Sequence, residues 1–369
     1  MCITLTFKSI NIIYMNTHHI NMRSVLLVLF LALGGVLMAQ DGDSWRVVRS
    51  LPQKHFINTM PRGNYSGIAR VDDDVYALVS DKSDSALFFN VRLYISKQTG
   101  EILQAEYLGE SGRADAPGLD NEAIARVSDS TVVVASEEKC RLKEYRIDGK
   151  PWEGSRKQWE WSMPTDNFWP NYSFESLAYD SLNHRLWTVN ESTMRLDGKP
   201  ATTSDPHNNV LRLISFDWTD RTKAPVSYLY RMDMPTTMKT AQTYTMGVSE
   251  LCALPDGRLL VLEREAFVPK VKVGAFCQCK LYVVSPSVET PYPLDKKAES
   301  GAPFVHKRLL TSWRTTLTIV SQNWANYEGM CIGPRLENGD LVLILVSDSQ
   351  DGYAGVLRDW FKTIVISDK

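Results

Sequence analysis

Acidic residues recur at two places in a strand pattern that is repeated five times along the chain. Each copy reads as a short apolar strand, a turn and a second apolar strand that ends in acids. In four copies a glutamate opens the first strand, at Glu122, Glu175, Glu250 and Glu328. The second strands end at Asp81, Glu138, Glu191, Glu263 and Asp348. Because the start of the first strand and the end of the second meet at one end of an antiparallel hairpin, we predict that both sets of acids lie together.

Such a cluster of carboxylates suits a hard metal ion. Neighbouring carboxylates repel one another unless protons, cations or basic side chains lie between them. The chain after residue 39 has only four histidines, and none of them has the paired spacing of a zinc site. Oxygen ligands without histidine or thiolate favour calcium. We therefore predict a Ca2+ site whose ligands are Glu122, Glu175, Glu191 and Asp348.

The connectors between the paired strands are typical of tight hairpins. They are Asp72-Asp73-Asp74, Ser128-Asp129-Ser130, Ser181-Leu182-Asn183, Pro255-Asp256-Gly257 and Glu337-Asn338-Gly339-Asp340. Aspartate, asparagine and glycine accept the positive φ that such turns need. Further apolar strands follow the first four hairpins. A hairpin with outer strands, repeated around an axis, predicts an all-β fold, namely a single-domain β-propeller.

We predict six blades in this propeller. Five copies of the hairpin are legible, and the stretch from Met194 to Thr245 has room for a degenerate sixth. The strand from Gly355 to Ser367 can close a blade with the N-terminus. A β-sandwich is the alternative fold, although its strands do not usually repeat one motif five times.

The N-terminal residues have the order expected of an exported bacterial protein. Met22-Arg23 precedes an apolar run from Val25 to Met38, and the small residue Ala39 follows. This order predicts a signal peptide over residues 22–39, a non-native or mis-assigned extension over residues 1–21 and the propeller domain over residues 40–369. A membrane anchor is the alternative, but the run is shorter than the about 20 apolar residues that span a bilayer. We therefore predict a periplasmic or secreted protein with no integral membrane span after cleavage.

The composition and the missing motifs argue against several functions. With 41 basic and 43 acidic residues, the net charge of −2 does not favour nucleic acid or an anionic membrane as a partner. The sequence contains no Gly-x-Ser-x-Gly elbow, phosphate-binding loop, Rossmann fingerprint or His-Glu-x-x-His helix. Cys277 and Cys279 are too few for a zinc site, and Cys252 and Cys331 fit small core positions. The tryptophans between Trp152 and Trp169 are interpreted as packing between blades rather than as a sugar platform.

Two phrases of the repeat are specific enough to resemble a known family. One is Asn326-Tyr327-Glu328-Gly329-Met330 with Leu345-Val346-Ser347-Asp348-Ser349, and the other is Val248-Ser249-Glu250-Leu251 with Leu259-Leu260-Val261-Leu262-Glu263-Arg264-Glu265. With the other copies they make residues 65–351 similar to the phytase-like, "esterase-like activity of phytase" family of secreted bacterial proteins. More distantly, the layout is similar to calcium-dependent propeller hydrolases such as β-propeller phytases and gluconolactonase-like lactonases. The resemblance implies hydrolysis of phosphoric or carboxylic esters, without an agreed set of catalytic residues.

For such a reaction, the predicted catalytic residues are Glu250, Glu328, Glu263 and Arg264, and the predicted substrate-binding residues are Lys139, Arg264 and Lys82. A cation would neutralise phosphate charge and activate water, a free carboxylate would act as base, and the basic side chains would bind phosphate oxygens. The expected substrate is a small-molecule ester or phosphoester.

Two other functions stay open, since propellers host many activities. One is a non-catalytic propeller that is stabilised by calcium and binds a ligand or a protein partner at the same mouth. In that case the repeated glutamates cap backbone N–H groups or pair with arginines of the next blade, and Glu263 with Arg264 is a candidate pair. The other is a lactonase-like enzyme.

Overall fold

Nearly all the regular structure in the described part of the chain is β-strand. The computed structural model describes residues 45–83, 86–113, 120–152, 158–320, 322–352 and 357–369. These residues form twenty strands and three short 3-10 helices, Thr165–Asn167, Pro286–Val288 and Gln350–Gly352. The predicted extension (1–21) and the predicted signal peptide (22–39) lie outside the described residues. No helix within the described ranges has the length and hydrophobicity to cross a membrane.

The strands of these ranges form five antiparallel sheets of four strands each. β1 (Arg46–Ser50) comes first in the chain and belongs to the last sheet. Sheet 1 contains β2 (Tyr65–Arg70), β3 (Val75–Ser80), β4 (Ala86–Ile95) and β5 (Ile102–Arg113). Sheet 2 contains β6 (Asn121–Arg126), β7 (Thr131–Ser136), β8 (Arg141–Arg146) and β9 (Glu160–Ser162). Sheet 3 contains β10 (Ala178–Asp180), β11 (Arg185–Val189), β12 (Val210–Asp217) and β13 (Val226–Arg231). Sheet 4 contains β14 (Thr243–Ala253), β15 (Leu259–Val268), β16 (Phe276–Val284) and β17 (Lys307–Thr316). Sheet 5 contains β18 (Asn326–Arg335), β19 (Leu341–Asp348), β20 (Phe361–Ser367) and, as its outer strand, β1.

The sheets are arranged in a closed ring. The strands of sheets 1 to 4 follow chain order from one edge to the other. The first strands β2, β6, β10, β14 and β18 contact one another in that order, and β18 contacts β2. These strands therefore surround a common axis, and the predicted β-propeller is confirmed, with each sheet as one blade.

The prediction of a sixth blade is not confirmed by the described residues. The stretch from Met194 to Thr245 does not make a sheet of its own, because its two strands β12 and β13 extend the hairpin of blade 3. The extra length is taken by a loop over residues 190–209 that a buried ion pair holds in place, with Arg212 Nη2 2.8 Å from Asp197 Oδ2. The strand near the C-terminus does close a blade with the N-terminus, since β20 pairs with β1.

The first strands approach one another so closely that two positions need glycine. A Cβ atom added to Gly67 would lie 2.8 Å from the Cα atom of Ala123, and one added to Gly329 would lie 3.0 Å from the backbone of Gly67. Only a residue without a side chain fits between backbones at these distances.

The core lies between the faces of neighbouring blades, so the central strands are apolar on both faces. All eight residues of β19 are buried, for example, which explains the unbroken run Leu341-Val342-Leu343-Ile344-Leu345-Val346. Trp161 of blade 2 packs on Phe216 of blade 3 with ring centroids 4.9 Å apart, so its interpretation as packing between blades is confirmed. Cys252 and Cys331 are buried as expected, and the buried thiols of Cys277 and Cys279 lie 3.9 Å apart.

Candidate functional site

One extra residue is inserted at the start of the first strand in four blades. The register shifts between Tyr65 and Gly67, Asn121 and Ala123, Val248 and Glu250, and Tyr327 and Gly329. In blade 3 an isolated β-bridge between Phe174 and Asn190 precedes β10. Glu175 follows this bridge and occupies the position that the inserted residue has in the other blades. The residues at this bulge position are Ser66, Glu122, Glu175, Ser249 and Glu328. A bulge re-aims the side chain at the end of a strand, and here three of the five side chains are glutamates.

The end of the second strand supplies a matching set of residues. The residue before each bulge pairs with Ser80, Ser136, Asn190, Glu263 or Ser347. The residues that follow these, at what we call the exit position, are Asp81, Glu137, Glu191, Arg264 and Asp348. Four blades therefore present an acid at the exit position and blade 4 presents an arginine.

The bulge and exit positions surround a cavity of about 640 Å3 at one mouth of the ring. Eight carboxylates line it: Asp81, Asp120, Glu122, Glu137, Glu175, Glu191, Glu328 and Asp348. The basic residues in the lining are Lys82, Arg264 and Lys272. Of the residues predicted from the sequence, the structure thus brings together Glu122, Glu175, Glu191, Glu328, Asp348, Arg264 and Lys82.

Glu250 lies outside this lining because it is one residue past the bulge position of its blade. It occupies the place of Gly67, Ala123, Ser176 and Gly329 in the other blades, and its side chain is fully buried. Its Oε1 accepts hydrogen bonds from the backbone N–H groups of Leu177 and Leu251, each at 2.9 Å. Burial raises the pKa of Glu250 well above its ordinary value. The arrangement is that of a carboxyl group that caps the backbone between blades 3 and 4.

Glu263 also lies outside the lining, because the residue at the exit position of blade 4 is Arg264. The Glu263 carboxylate accepts hydrogen bonds from Tyr230 Oη at 2.7 Å and from Lys307 Nζ at 2.5 Å. The backbone N–H of Asp233 donates to its other oxygen at 3.2 Å. Glu263 therefore joins blades 3 and 4 on the side of the sheet, and its ionic partner is Lys307 rather than Arg264.

In blade 2 the exit position belongs to Glu137, whereas the repeat pattern predicted its neighbour Glu138. Glu138 and Lys139 are exposed and are not among the lining residues. Lys139 is therefore away from the mouth, whereas Lys82 lines it, with Nζ 3.5 Å from Asp81 Oδ2. A serine precedes the acid in Ser80-Asp81, Ser136-Glu137 and Ser347-Asp348. That repeated pair was the sequence signal for Glu137.

Arg264 joins three blades at the mouth. Its Nη1 donates to Glu328 Oε1 at 2.6 Å and to Asn326 Oδ1 at 3.0 Å, both in blade 5. Its Nη2 lies 2.5 Å from Glu191 Oε1 and 3.4 Å from Glu175 Oε2, both in blade 3. Only 4% of Arg264 is exposed. One buried guanidinium thus compensates part of the charge of three glutamates.

Three carboxylates of blades 2 and 3 converge within metal-binding reach. One oxygen from each of Glu137, Glu175 and Glu191 lies within 4.8 Å of the other two. The Glu137 carboxylate is oriented by the backbone N–H of Ser173, which donates to its Oε1 at 2.9 Å. Glu191 is held by its own backbone, whose C=O accepts from the N–H of Val248 at 2.9 Å.

The charges of this group are unfavourable without a cation or protons. Burial and the charge of Glu191 raise the pKa of Glu137 to about 7. Burial and Glu191 likewise raise the pKa of Glu175 well above its ordinary value, although Arg264 opposes the shift. A cation with oxygen preference would relieve both effects, so the donor set fits a hard divalent ion such as calcium.

The opposite side of the mouth holds acids that no arginine reaches in the described residues. Burial, with Asp81 nearby, raises the pKa of Asp348 to about 7, and burial raises that of Asp81 to about 6 against the opposing charge of Lys82. Burial and the charge of Glu328 raise the pKa of Glu122 well above its ordinary value. Asp81 Oδ1 is buried without a hydrogen-bond partner among the described residues. Asp81 and Asp348 can exchange protons near neutral pH, as a general base must.

Comparison with known proteins identifies a family. The model of the phytase-like family, described as "esterase-like activity of phytase", matches residues 60–350. A search of curated proteins found no match. Among solved structures, virginiamycin B lyase from Staphylococcus aureus is similar at 10% identity and a TM-score of 0.34, covering 87% of this chain and 99% of that one. A streptogramin B lyase is similar at 11% identity and a TM-score of 0.35, covering 86% and 98%. These similarities are too low to indicate a function.

Proposed function

The chain belongs to the phytase-like, "esterase-like activity of phytase" family, and from this premise we propose that its acidic mouth is a calcium-dependent site for the hydrolysis of small phosphoric or carboxylic esters. The observation that carries the proposal is the convergence of Glu137, Glu175 and Glu191 within 4.8 Å beside a second group of acids with raised pKa values. Perturbed pKa values cluster at functional sites, and metal-assisted hydrolysis uses both a cation site and a base.

In this proposal the two sides of the mouth have different tasks. Glu137, Glu175 and Glu191 would hold the cation, whereas Glu122 lines the same cavity with the acids of the other side. Calcium bound there would supply positive charge that polarises the ester and lowers the pKa of a bound water molecule. Asp81 accepts the proton of the attacking water, since its free Oδ1 and pKa of about 6 suit a base at neutral pH. Asp348, with a pKa of about 7, takes the proton onward.

The basic residues of the mouth complete the assignment. Arg264 is a positioning residue, because its guanidinium is already engaged by glutamates and fixes where Glu191 and Glu328 point. Lys82 is half-exposed, with 41% of its side chain accessible, and can bind an anionic oxygen of the substrate. Lys272 also lines the cavity and can do the same.

The experiment is an ester-hydrolysis assay of the purified protein in calcium and in chelator, with phytate and nitrophenyl esters as substrates. Glu137→Gln is the test variant, and Glu138→Gln, one residue away and outside the cavity, is the matched control. We expect Glu137→Gln to lower kcat/KM at least about tenfold and to raise the calcium concentration needed for activity. A tenfold loss is about 1.4 kcal/mol of transition-state stabilisation. We expect Glu138→Gln to stay within about twofold of the parent chain.

Equal activity in the two variants would refute the assignment of the cation site. If the parent chain releases no product and chelator only lowers its Tm, the second candidate function holds, namely a calcium-stabilised propeller that binds a ligand or partner. The contacts of Arg264 with Glu175, Glu191 and Glu328 favour that candidate, because those acids join three blades.

We also propose that the protein is exported, on the basis of the residues from Met22 to Ala39. The test is N-terminal sequencing of the protein recovered from the periplasm or the medium. A first residue at or near Gln40 is expected, and an intact N-terminus in the cytoplasm would contradict export.

A further inference from the structure

Large aliphatic side chains are exposed on three segments of blade 4 and its connections. Val271, Met238, Ile319 and Val320 have exposed fractions of 74%, 74%, 87% and 96%. They lie in residues 234–242, 269–275 and 317–320, which together we call the rim. Single exposed aliphatic residues are common, but a group of them on neighbouring loops marks a contact surface.

The three segments of the rim are hydrogen-bonded to one another or to blade 4. The backbone N–H of Gly274 donates to the C=O of Leu317 at 2.8 Å. Gln242 is joined to the end of β15, since its N–H donates to the C=O of Val268 at 2.8 Å and its side chain accepts from Lys272 Nζ at 3.2 Å. The rim is therefore one continuous surface.

The rim borders the entrance of the acidic cavity. Lys272, Ala275 and Leu317 belong both to the rim and to the cavity lining. Thr243 and Val268, which are next to rim segments in the chain, also line the cavity. Any binding partner large enough to cover the rim would therefore also lie over the mouth of the cavity.

The charge of the rim is opposite to that of the cavity beneath it. Its segments contain Lys239, Lys270 and Lys272 and no aspartate or glutamate. In residues 269–273 lysine alternates with an apolar residue, as Pro269-Lys270-Val271-Lys272-Val273. The net charge of −2 for the whole chain conceals this local excess of positive charge.

We propose that the rim docks the mouth of the propeller on an anionic lipid surface. Aliphatic side chains at loop tips enter the boundary between headgroups and acyl chains, and neighbouring lysines remain with the anionic headgroups. Each lysine near such a surface strengthens binding by about fivefold. The residues that contribute most to binding a protein partner are usually Trp, Tyr and Arg, which these three segments lack. The proposal does not depend on the chemistry of the mouth.

The test is co-sedimentation of the full chain with vesicles of phosphatidylcholine alone or mixed with phosphatidylglycerol, at low and physiological salt. The rim variants are Val271→Asp with Val273→Asp, and Lys270→Glu. The control is Val288→Asp, because Val288 is 80% exposed and follows β16 at the opposite end of blade 4. We expect binding only to the phosphatidylglycerol vesicles. The double valine variant should bind at least about tenfold more weakly, and Lys270→Glu about fivefold or more, while the control is unchanged.

Absence of binding by the parent chain at low salt would overturn the proposal, as would equal loss in the control. Light scattering without vesicles tests a further possibility, a dimer formed through the rim. A parent dimer that the valine variant converts to a monomer would also overturn lipid docking. Because vesicle binding is measured without substrate, failure of the hydrolysis assay leaves this result interpretable.

Discussion

Replacement of Arg264 by methionine tests how much the Arg264 guanidinium stabilises the fold by compensating the buried acids of the mouth. Methionine keeps much of the volume of the arginine side chain and removes its charge and its hydrogen bonds. In the parent chain the guanidinium lies 2.6 Å from Glu328, 2.5 Å from Glu191 and 3.4 Å from Glu175. All these groups are buried or nearly so, with side-chain exposed fractions of 13% or less.

Removal of one partner from a buried ion pair costs about 3–5 kcal/mol, because the remaining charge stays without compensation. Here three carboxylates lose the guanidinium that they share, so we expect Arg264→Met to lower the free energy of unfolding by at least about 3 kcal/mol at pH 8. The loss should be smaller at pH 5, because the freed carboxyl groups then take up protons and need no counter-charge. Calcium should also restore part of the stability if it binds beside these glutamates.

The assay is urea denaturation at pH 5 and pH 8 in chelator, repeated at pH 8 with calcium. Arg92→Met is the matched control, since Arg92 forms ion pairs with Asp74 at 3.2 Å and with Glu106 at 3.4 Å that are partly open to solvent. Exposed pairs contribute about 0–1 kcal/mol, so the control should remain within that range. A pH-independent loss in Arg264→Met, or a loss no larger than that of the control, would refute the reasoning about buried charge.

Three further outcomes follow from the same geometry. In chelator, the free energy of unfolding should fall as pH rises from about 5 to 8. The pKa values of Asp81 and Asp348 are raised by folding, so the folded chain still binds protons that the unfolded chain has released. Denaturation curves that show constant or rising stability over this range would contradict this prediction. Glu250→Gln should keep hydrolytic activity within about threefold of the parent chain, whereas Glu250→Leu should lower the free energy of unfolding by about 1–3 kcal/mol, because a backbone N–H such as that of Leu177 loses its acceptor. A tenfold loss of activity in a stable Glu250→Gln protein would show that the residue is catalytic. Gly67→Ala should lower the free energy of unfolding by about 1–3 kcal/mol and therefore the Tm, since the added Cβ would lie 2.8 Å from backbone atoms of blade 2. An unchanged Tm would show that the inner strands can move apart.

The grouping of acids at one mouth followed from the sequence through the direction of the strands. Both ends of an antiparallel hairpin that face away from the turn must lie at one edge, so Glu122, Glu175, Glu328 and Asp348 could be placed together without coordinates. The five copies themselves gave the number of blades found in the described residues. The prediction of six relied on spare length between Met194 and Thr245, which a long loop accounts for.

The predicted site positions that the structure places elsewhere are each displaced by one residue, and the displacements have one cause. A strand turns successive side chains to opposite faces, so a shift of one residue exchanges a cavity position for a position between blades. The bulge sets that register, and it places Arg264 rather than Glu263, and Glu137 rather than Glu138, at the mouth. In blade 4 it also moves Glu250 one step beyond the position of the other glutamates.

The sequence by itself determined the repeated hairpins, the apolar strands and the mouth that collects the acids, because these depend on local patterns of polarity and turn residues. Only the tertiary structure decided which acids are compensated. Arg264 meets Glu175 and Glu328 across 89 and 64 residues of chain, in blades on either side of its own. Such contacts exist only when the ring closes, and they leave the acids of the other side, Asp81 and Asp348 among them, available for protons or a cation.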